Sequence, residues 1–505
     1  MSAPQNVTDT GHIHVGKGLN SNALGVVGST VIGLASTAPL YSLAATLGYV
    51  ILAIGAQAPV AFLAAAIPMV FAALAYQELN REMPDCGTTF VWGTKAFGPV
   101  VGWIGGWAVA VSAVMVLANV SEIAGKYLWY LVGRNDLADN RVVVVITGCV
   151  FIAVMTFIST IGVQIGEKLQ MVLMVIQYIA LAAFGILAFA GAINGSSPSA
   201  VPFDIEWFNP AAVESWSGFI EAVLLCLFIY WGWDTCLALN EETKNPRKTP
   251  GRAALATIVI LIVTYVGISV AVMMYAGFGT TGFGLTNEAN LDDVFTVLRD
   301  ALFGPWGWFL ILAMLVSGAS STQTTILPTA RGTLSMAVYR ALPAKFASIH
   351  PKWKTPWFST TVMGISAIVY YAVMSLISEN VLADSLTSMG LAVALYYAIT
   401  AFACVWYYRD TLFTTTRNFF MRGLLPFLGG VMLTYAFVQS AIDMISTDYS
   451  MTVLLGIGGA FVIGVGALAL GFVLMGIWWM FPNSKPFFRG ESLNRETPVL
   501  VPDEG

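Results

Sequence analysis

Twelve apolar runs, separated by short polar segments, account for most of the 505 residues. They lie near 24–54, 57–79, 99–132, 142–161, 169–192, 216–239, 252–278, 305–330, 357–378, 385–408, 423–445 and 452–481. Each is long enough to cross ~30 Å of hydrocarbon as a helix. The runs lack the period-two alternation of a lipid-facing barrel strand. The pattern therefore predicts an all-α polytopic membrane protein with twelve transmembrane helices. Within 288–303, Leu291, Val294, Phe295, Leu298 and Leu302 recur at helical spacing. That spacing predicts an amphipathic helix on the outer surface. Residues 80–98 hold the corresponding place after run 2.

Composition agrees with the pattern. Hydrophobic residues make up 57% of the chain and charged residues 10%, where soluble domains carry roughly 25% charged. The tails, 1–22 and 482–505, are polar and are expected to be mobile. Residues 1–21 lack an apolar core of their own, so no cleaved signal peptide is expected. Cys86, Cys149, Cys226, Cys236 and Cys404 form no C-x-x-C pair. They read as small apolar packing residues rather than as a disulfide or metal framework.

Charge placement orients the bundle. An even number of crossings puts both tails on one side. With both tails inside, the inner segments hold 19 of the 23 lysines and arginines. The outer side keeps Lys126, Arg134, Arg141 and Arg299. This asymmetry follows the positive-inside rule and predicts a plasma-membrane protein with cytoplasmic termini.

Two runs are interrupted. Run 1 contains Ser36-Thr37-Ala38-Pro39-Leu40-Tyr41. Pro39 lacks an N–H and clashes with the preceding turn, so the helix should open near 36–38. Ser36 and Thr37 can satisfy part of the freed backbone. A plain proline kink and a ligand-binding break both fit this motif. Run 6 contains Phe228-Ile229-Tyr230-Trp231-Gly232-Trp233-Asp234. A mid-membrane carboxylate costs at least ~2.5 kcal/mol and marks a functional site by default. The structural alternative is a hydrogen bond from Asp234 to the run 1 break. Each interrupted run opens a block of five crossings. Corresponding breaks in two halves point to a transporter's central site.

Three stretches resemble the amino acid–polyamine–organocation family of secondary transporters. The first runs from Glu78-Leu79 through Pro84 and Gly87 to Phe97-Gly98-Pro99. The second is Gly232-Trp233-Asp234 followed by Glu241-Glu242-Thr243-Lys244-Asn245-Pro246-Arg247-Lys248-Thr249-Pro250. The third is Arg331, then Met336-Ala337 and Leu342-Pro343. The resemblance implies a five-plus-five inverted repeat, 23–192 and 193–408. Helices 11 and 12 are added at 409–481, and helices 1, 3, 6, 8 and 10 surround the substrate. The family's G-S-G break falls on Ser36, Thr37 and Ala38, so both glycines are missing. Glycine lets backbone approach a ligand closely, and its loss favours an amine over a tightly clamped carboxylate. Phe228 takes the place of a gating aromatic, and Asp234 the acidic position tied to substrate binding or proton coupling. Trp231 and Trp233 can offer cation–π contact or simply pack. A helix 5 lysine of some relatives aligns with Gln177. Ser317, Ser320 and Ser321 on run 8 are candidates for a sodium site, or bond their own helix carbonyls.

The expected function is a permease for amino acids, related amines or polyamines. It would work by alternating access, through proton-coupled symport or exchange, with sodium coupling as the alternative. The expected partners are a small-molecule substrate, a proton or sodium ion and membrane lipid. No cofactor, structural metal, catalytic residue or nucleic acid is expected. Gly11 to Gly18 grazes a P-loop but lacks the Ser or Thr after Lys17. His12 and His14 read as solvated tail residues. A membrane transferase or a channel remains the alternative class.

Overall fold

The computed structural model describes residues 16–500, so His12 and His14 lie outside the described residues. Among the described residues, eleven stretches are long and apolar enough to cross a membrane. The first, Val26–Glu82, is 57 residues long. It contains the broken helix 1 (Val26–Thr37 and Pro39–Ile54), a tight turn at Gly55–Gln57, and helix 2 (Ala58–Glu82). Two passes in that stretch make twelve crossings.

Helix 3 is Pro99–Leu131, helix 4 Arg141–Ile161 and helix 5 Val163–Ile193. Helix 6 is Trp216–Tyr230 with a detached turn at Thr235–Ala238. Helix 7 is Thr249–Ala276, helix 8 Gly307–Val338, helix 9 Trp357–Ile377 and helix 10 Glu379–Tyr407. Helix 11 is Leu425–Ile445 and helix 12 Gly459–Trp479. Prolines at the first or second position open helices 2, 3, 7 and 11, where the missing N–H has no partner to lose.

The amphipathic segment forms a helix at Val294–Phe303, with Leu291, Val294, Phe295 and Leu298 buried against the bundle. A short helix, Thr89–Phe97, occupies the corresponding place after helix 2. The only strands among the described residues are a two-residue hairpin, Val453–Leu454 with Ile457–Gly458.

The outside of the bundle is apolar: Ile146, Phe157, Val263, Ile365 and Phe472 all face outward. The interior holds polar groups, including Ser36, Gln170, Ser320 and Arg331. This distribution suits lipid, which accepts apolar surface but no unsatisfied polar group. Helices 3 and 8 make the most extensive contact, and helix 1 packs on helices 5, 7 and 8. All five cysteines are free, as expected from their spacing.

Part of each described tail segment is packed against the bundle. Lys17 crosses the ring of Tyr339 at 5.7 Å, and Ser492 Oγ donates to the Tyr339 carbonyl at 2.6 Å. The two described tail segments therefore meet on one face, here termed the termini face. Phe487 and Leu493 are fully buried there.

Candidate functional site

Helix 1 opens at a single residue. Ala38 adopts φ 46°, ψ 57°, and Pro39 starts the second half. The freed carbonyls find side-chain donors: Thr37 Oγ1 donates to Leu34 O at 2.8 Å, and Ser42 Oγ to Thr37 O at 2.7 Å. Ser321 Oγ of helix 8 donates to Ser36 O at 3.2 Å. The Ser36 hydroxyl leaves its own helix and meets Thr235 Oγ1 at 2.8 Å.

Helix 6 opens over several residues. Trp231 is extended, Gly232 has φ 112°, and Asp234 caps the detached turn. A Cβ at Gly232 would stand 2.9 Å from Ser36 Oγ and 3.0 Å from its carbonyl carbon. Glycine is thus required twice, for its backbone angle and for contact with helix 1. Tyr265 Oη donates to Ile229 O at 2.8 Å and satisfies one carbonyl freed by the break.

Asp234 is half-buried. Tyr397 Oη donates to its Oδ1 at 2.8 Å and Tyr396 Oη to its Oδ2 at 3.2 Å. Trp231 Nε1 donates to Tyr396 Oη at 2.5 Å. Trp233 stacks on Tyr397 with ring centroids 5.1 Å apart, and Tyr76 meets Trp233 edge-on at 5.1 Å. Among the described residues no lysine or arginine is paired with Asp234. It lines a cavity of about 20 Å³ with Gly87, Thr88, Ala110, Pro328 and Thr333. That volume holds one water and no amino acid, so this conformation is closed around the carboxylate.

Ser36, Gly232 and Asp234 thus meet where the two breaks touch, with Trp231 tied to the Asp234 partner Tyr396. Tyr41 instead lies beside Asn119, Glu122, Asp292 and Asp293, towards the opposite face. Phe228 packs at the edge of the main core. The three serines do not converge on one point. Ser320 Oγ donates to Gln170 Oε1, Ser321 is bonded to helix 1, and Ser317 has no hydrogen-bond partner. Gln170 is the helix 5 residue bonded to Ser320, whereas Gln177 donates to Met174 Sδ on its own helix. The Gln170 amide also donates to Ser320 O at 3.2 Å and Gln323 Oε1 at 2.7 Å. Tyr396, Tyr397 and Tyr76 escaped the sequence reading. The adjacent tyrosines in the middle of run 10 were the available signal.

The motifs at the termini face build a second polar cluster. Lys17 Nζ lies 2.8 Å from Asp85 Oδ2 and 2.5 Å from Glu241 Oε1, with all three side chains buried. Asp85 also accepts from Ser335 at 2.7 Å and Tyr339 at 2.9 Å. Arg331 grips Glu242 through two nitrogens at 2.7 and 3.1 Å. Glu78 takes Arg81, Arg417 and Arg422. Burial works against the Lys17 charge, but facing Asp85 and Glu241 raise its pKa well above the usual lysine value. Burial likewise opposes the Asp85 charge, and Lys17 overcomes it, so its pKa falls below the usual value. Burial dominates at Glu241 and raises its pKa. Asp85, Cys86 and Glu241 stand close enough to hold a metal. The Lys17 ammonium fills the point at which a cation would bind them.

This architecture defines a helical membrane permease arranged around two broken helices. The chain matches the amino acid permease family over residues 21–480 and belongs to that family, whose members are transporters. It is 24% identical over 296 residues to an uncharacterised transporter of Mycobacterium tuberculosis, covering 58% of this chain and 60% of that one. It is 24% identical over 401 residues to the serine/threonine exchanger SteT of Bacillus subtilis, covering 76% and 83%. It is 24% identical over 416 residues to the low-affinity putrescine importer PlaP of Escherichia coli, covering 81% and 86%.

Proposed function

We propose that this permease is a secondary active transporter for amines, polyamines or amino acids, recognised through an ammonium group at Asp234. One observation carries the reading: Asp234 is a membrane-depth carboxylate held by neutral donors, inside an aromatic cage, where two helix breaks touch. A carboxylate at that depth needs a cation or a proton, and a substrate ammonium supplies the former. Cation–π contact with Trp231 and Trp233 would add to it. The absence of the family's glycines around Ser36, Thr37 and Ala38 favours an amine over a clamped carboxylate. The putrescine importer among the relatives agrees with that preference.

Transport proceeds by alternating access around this site. Two five-helix units, 23–192 and 193–408, form the moving machinery, with helices 11 and 12 outside them. The protein sits in the plasma membrane with both termini cytoplasmic, and coupling is to protons or to substrate exchange. Phe228 and Tyr41 would flank the substrate path.

Proteoliposome uptake of putrescine and of single amino acids tests the reading, with and without a pH gradient, a sodium gradient or internal substrate. Saturable flux that depends on the pH gradient or on internal substrate is expected. Dependence on sodium alone would reassign coupling to Ser317, Ser320 and Ser321. Absence of saturable flux for every amine and amino acid would overturn the proposal.

A further inference from the structure

Adjoining the Asp234 cavity, with which it shares Gly106, Ala110, Thr329 and Thr333, a groove of about 960 Å³ runs between helices 3, 8, 9 and 12. Its lining extends from Ser359 to Met374 on helix 9 and from Val462 to Trp478 on helix 12. At 1.5 Å per residue this is roughly 24 Å, longer than one leaflet of a ~30 Å hydrocarbon core. Trp107, Val111 and Met336 are among the residues that line it.

Most of the polar groups along it are satisfied within the protein, Tyr370 by the Ser385 hydroxyl and the following by backbone. Trp103 Nε1 donates to Ala341 O at 2.9 Å, Trp107 Nε1 to Ala467 O at 2.9 Å, and Trp478 Nε1 to Arg340 O at 3.2 Å. Ser359 Oγ donates to Phe346 O at 2.8 Å, and Thr333 Oγ1 to Thr329 O at 3.0 Å. Such a lining is mostly apolar and suits a hydrocarbon chain.

The mouth at the termini face is basic. The segment 339–356 carries Arg340, Lys345, Lys352 and Lys354 and no aspartate or glutamate. The Arg340 carbonyl holds Trp478, and Lys345 adjoins the lining residue Phe346 while its ammonium lies 4.6 Å from the Phe358 ring centroid. Arg340 and Lys345 are exposed, and neither is paired with a carboxylate among the described residues.

We propose that this groove binds an anionic glycerophospholipid, with its acyl chain between helices 9 and 12 and its phosphate at Arg340 and Lys345. The charge at the mouth complements a phosphate headgroup. A second copy of the chain fits less well, because a twofold contact through this face would place two like-charged segments side by side.

Native mass spectrometry of the purified full chain, titrated with phosphatidylglycerol or phosphatidylcholine, tests the assignment. Each cation near an anionic headgroup is worth about fivefold in binding, so the protein should retain phosphatidylglycerol roughly tenfold or more over phosphatidylcholine. The double variant Arg340→Gln, Lys345→Gln alters exposed side chains and should abolish that preference. Gly466 lines the groove, and no atom lies within 4 Å of the position of an added Cβ. Gly466→Phe should fill the groove and reduce retention of both lipids. Equal retention of the two lipids by the native protein would overturn the proposal. So would unchanged phosphatidylglycerol retention in the charge variant, or in a Gly466→Phe protein that melts normally. A Gly466→Phe protein that changes from dimer to monomer with its lipid count unaltered would make the groove a contact between copies and reject the lipid.

Discussion

Two regions of the permease hold carboxylates in the interior and treat them oppositely. At the termini face, Asp85 and Glu241 share Lys17, Glu242 takes Arg331, and Glu78 takes Arg417 and Arg422. On helix 6, Asp234 accepts from the neutral hydroxyls of Tyr396 and Tyr397 and has no lysine or arginine partner among the described residues. A charge already matched by protein is committed to holding helices together. On the proposed reading, the unmatched charge of Asp234 keeps a place for a mobile cation, whether proton or ammonium. The network of matched charges joins the start of helix 1, the loops after helices 2 and 6, and helix 8. It thus links the elements that carry the breaks to the rest of the bundle.

The largest effect should come from breaking the matched set. Lys17→Met leaves Asp85 and Glu241 buried without their cation, and removal of one partner of a buried pair costs about 3–5 kcal/mol. Thermal melting of the purified protein should show a clear loss for Lys17→Met and almost none for Asp234→Asn. Equal melting of the two variants would erase the distinction between the regions.

Transport should give the reverse order. Asp234→Asn removes a charged hydrogen-bond acceptor, worth about 1.5–3 kcal/mol, and should lower transport efficiency by roughly ten- to a hundredfold in proteoliposomes. Wild-type uptake by this variant would remove Asp234 from the mechanism. Tyr397→Phe should raise the KM for substrate by up to about tenfold. Tyr396→Phe should do less, because its bond to Asp234 is 3.2 Å against 2.8 Å.

The smallest effect concerns pH. The Asp85 pKa is lowered by folding, so its contribution is complete above the ordinary value of 3.8 and fades as pH falls below it. The Lys17 pKa is raised, so its contribution holds below 10.5 and fades as pH climbs past its raised value. Glu241 acts in the opposite sense to Asp85: its pKa is raised, so its share declines as pH rises above 4.5. Asp85→Asn should therefore lose less stability on acidification than the native protein, as read by melting temperature across a pH series. A steeper acid loss in the variant would contradict the assignment of Asp85 to Lys17.

The order of crossings, the two breaks and the family motifs were legible along the chain. Bilayer thickness imposes run length, and Pro39 and Gly232 act on their own neighbours through backbone sterics. Glu78, Glu241, Glu242 and Arg331 were visible as motif residues, but their pairing was not. Local spacing could not reveal that Lys17 reaches Asp85 and Glu241, which lie 68 and 224 positions away in the chain. Nor could it show that Tyr397, rather than a helix 1 group, holds Asp234, or that Gln170 bonds Ser320 and Gln323 of helix 8. Which face a side chain presents depends on helix rotation within the bundle, and that rotation is set by all neighbouring helices at once. The chain by itself determined where it crosses the membrane and where it breaks. Only the tertiary structure decided which buried charges were matched by protein, and on the proposed reading Asp234 is left for a mobile cation.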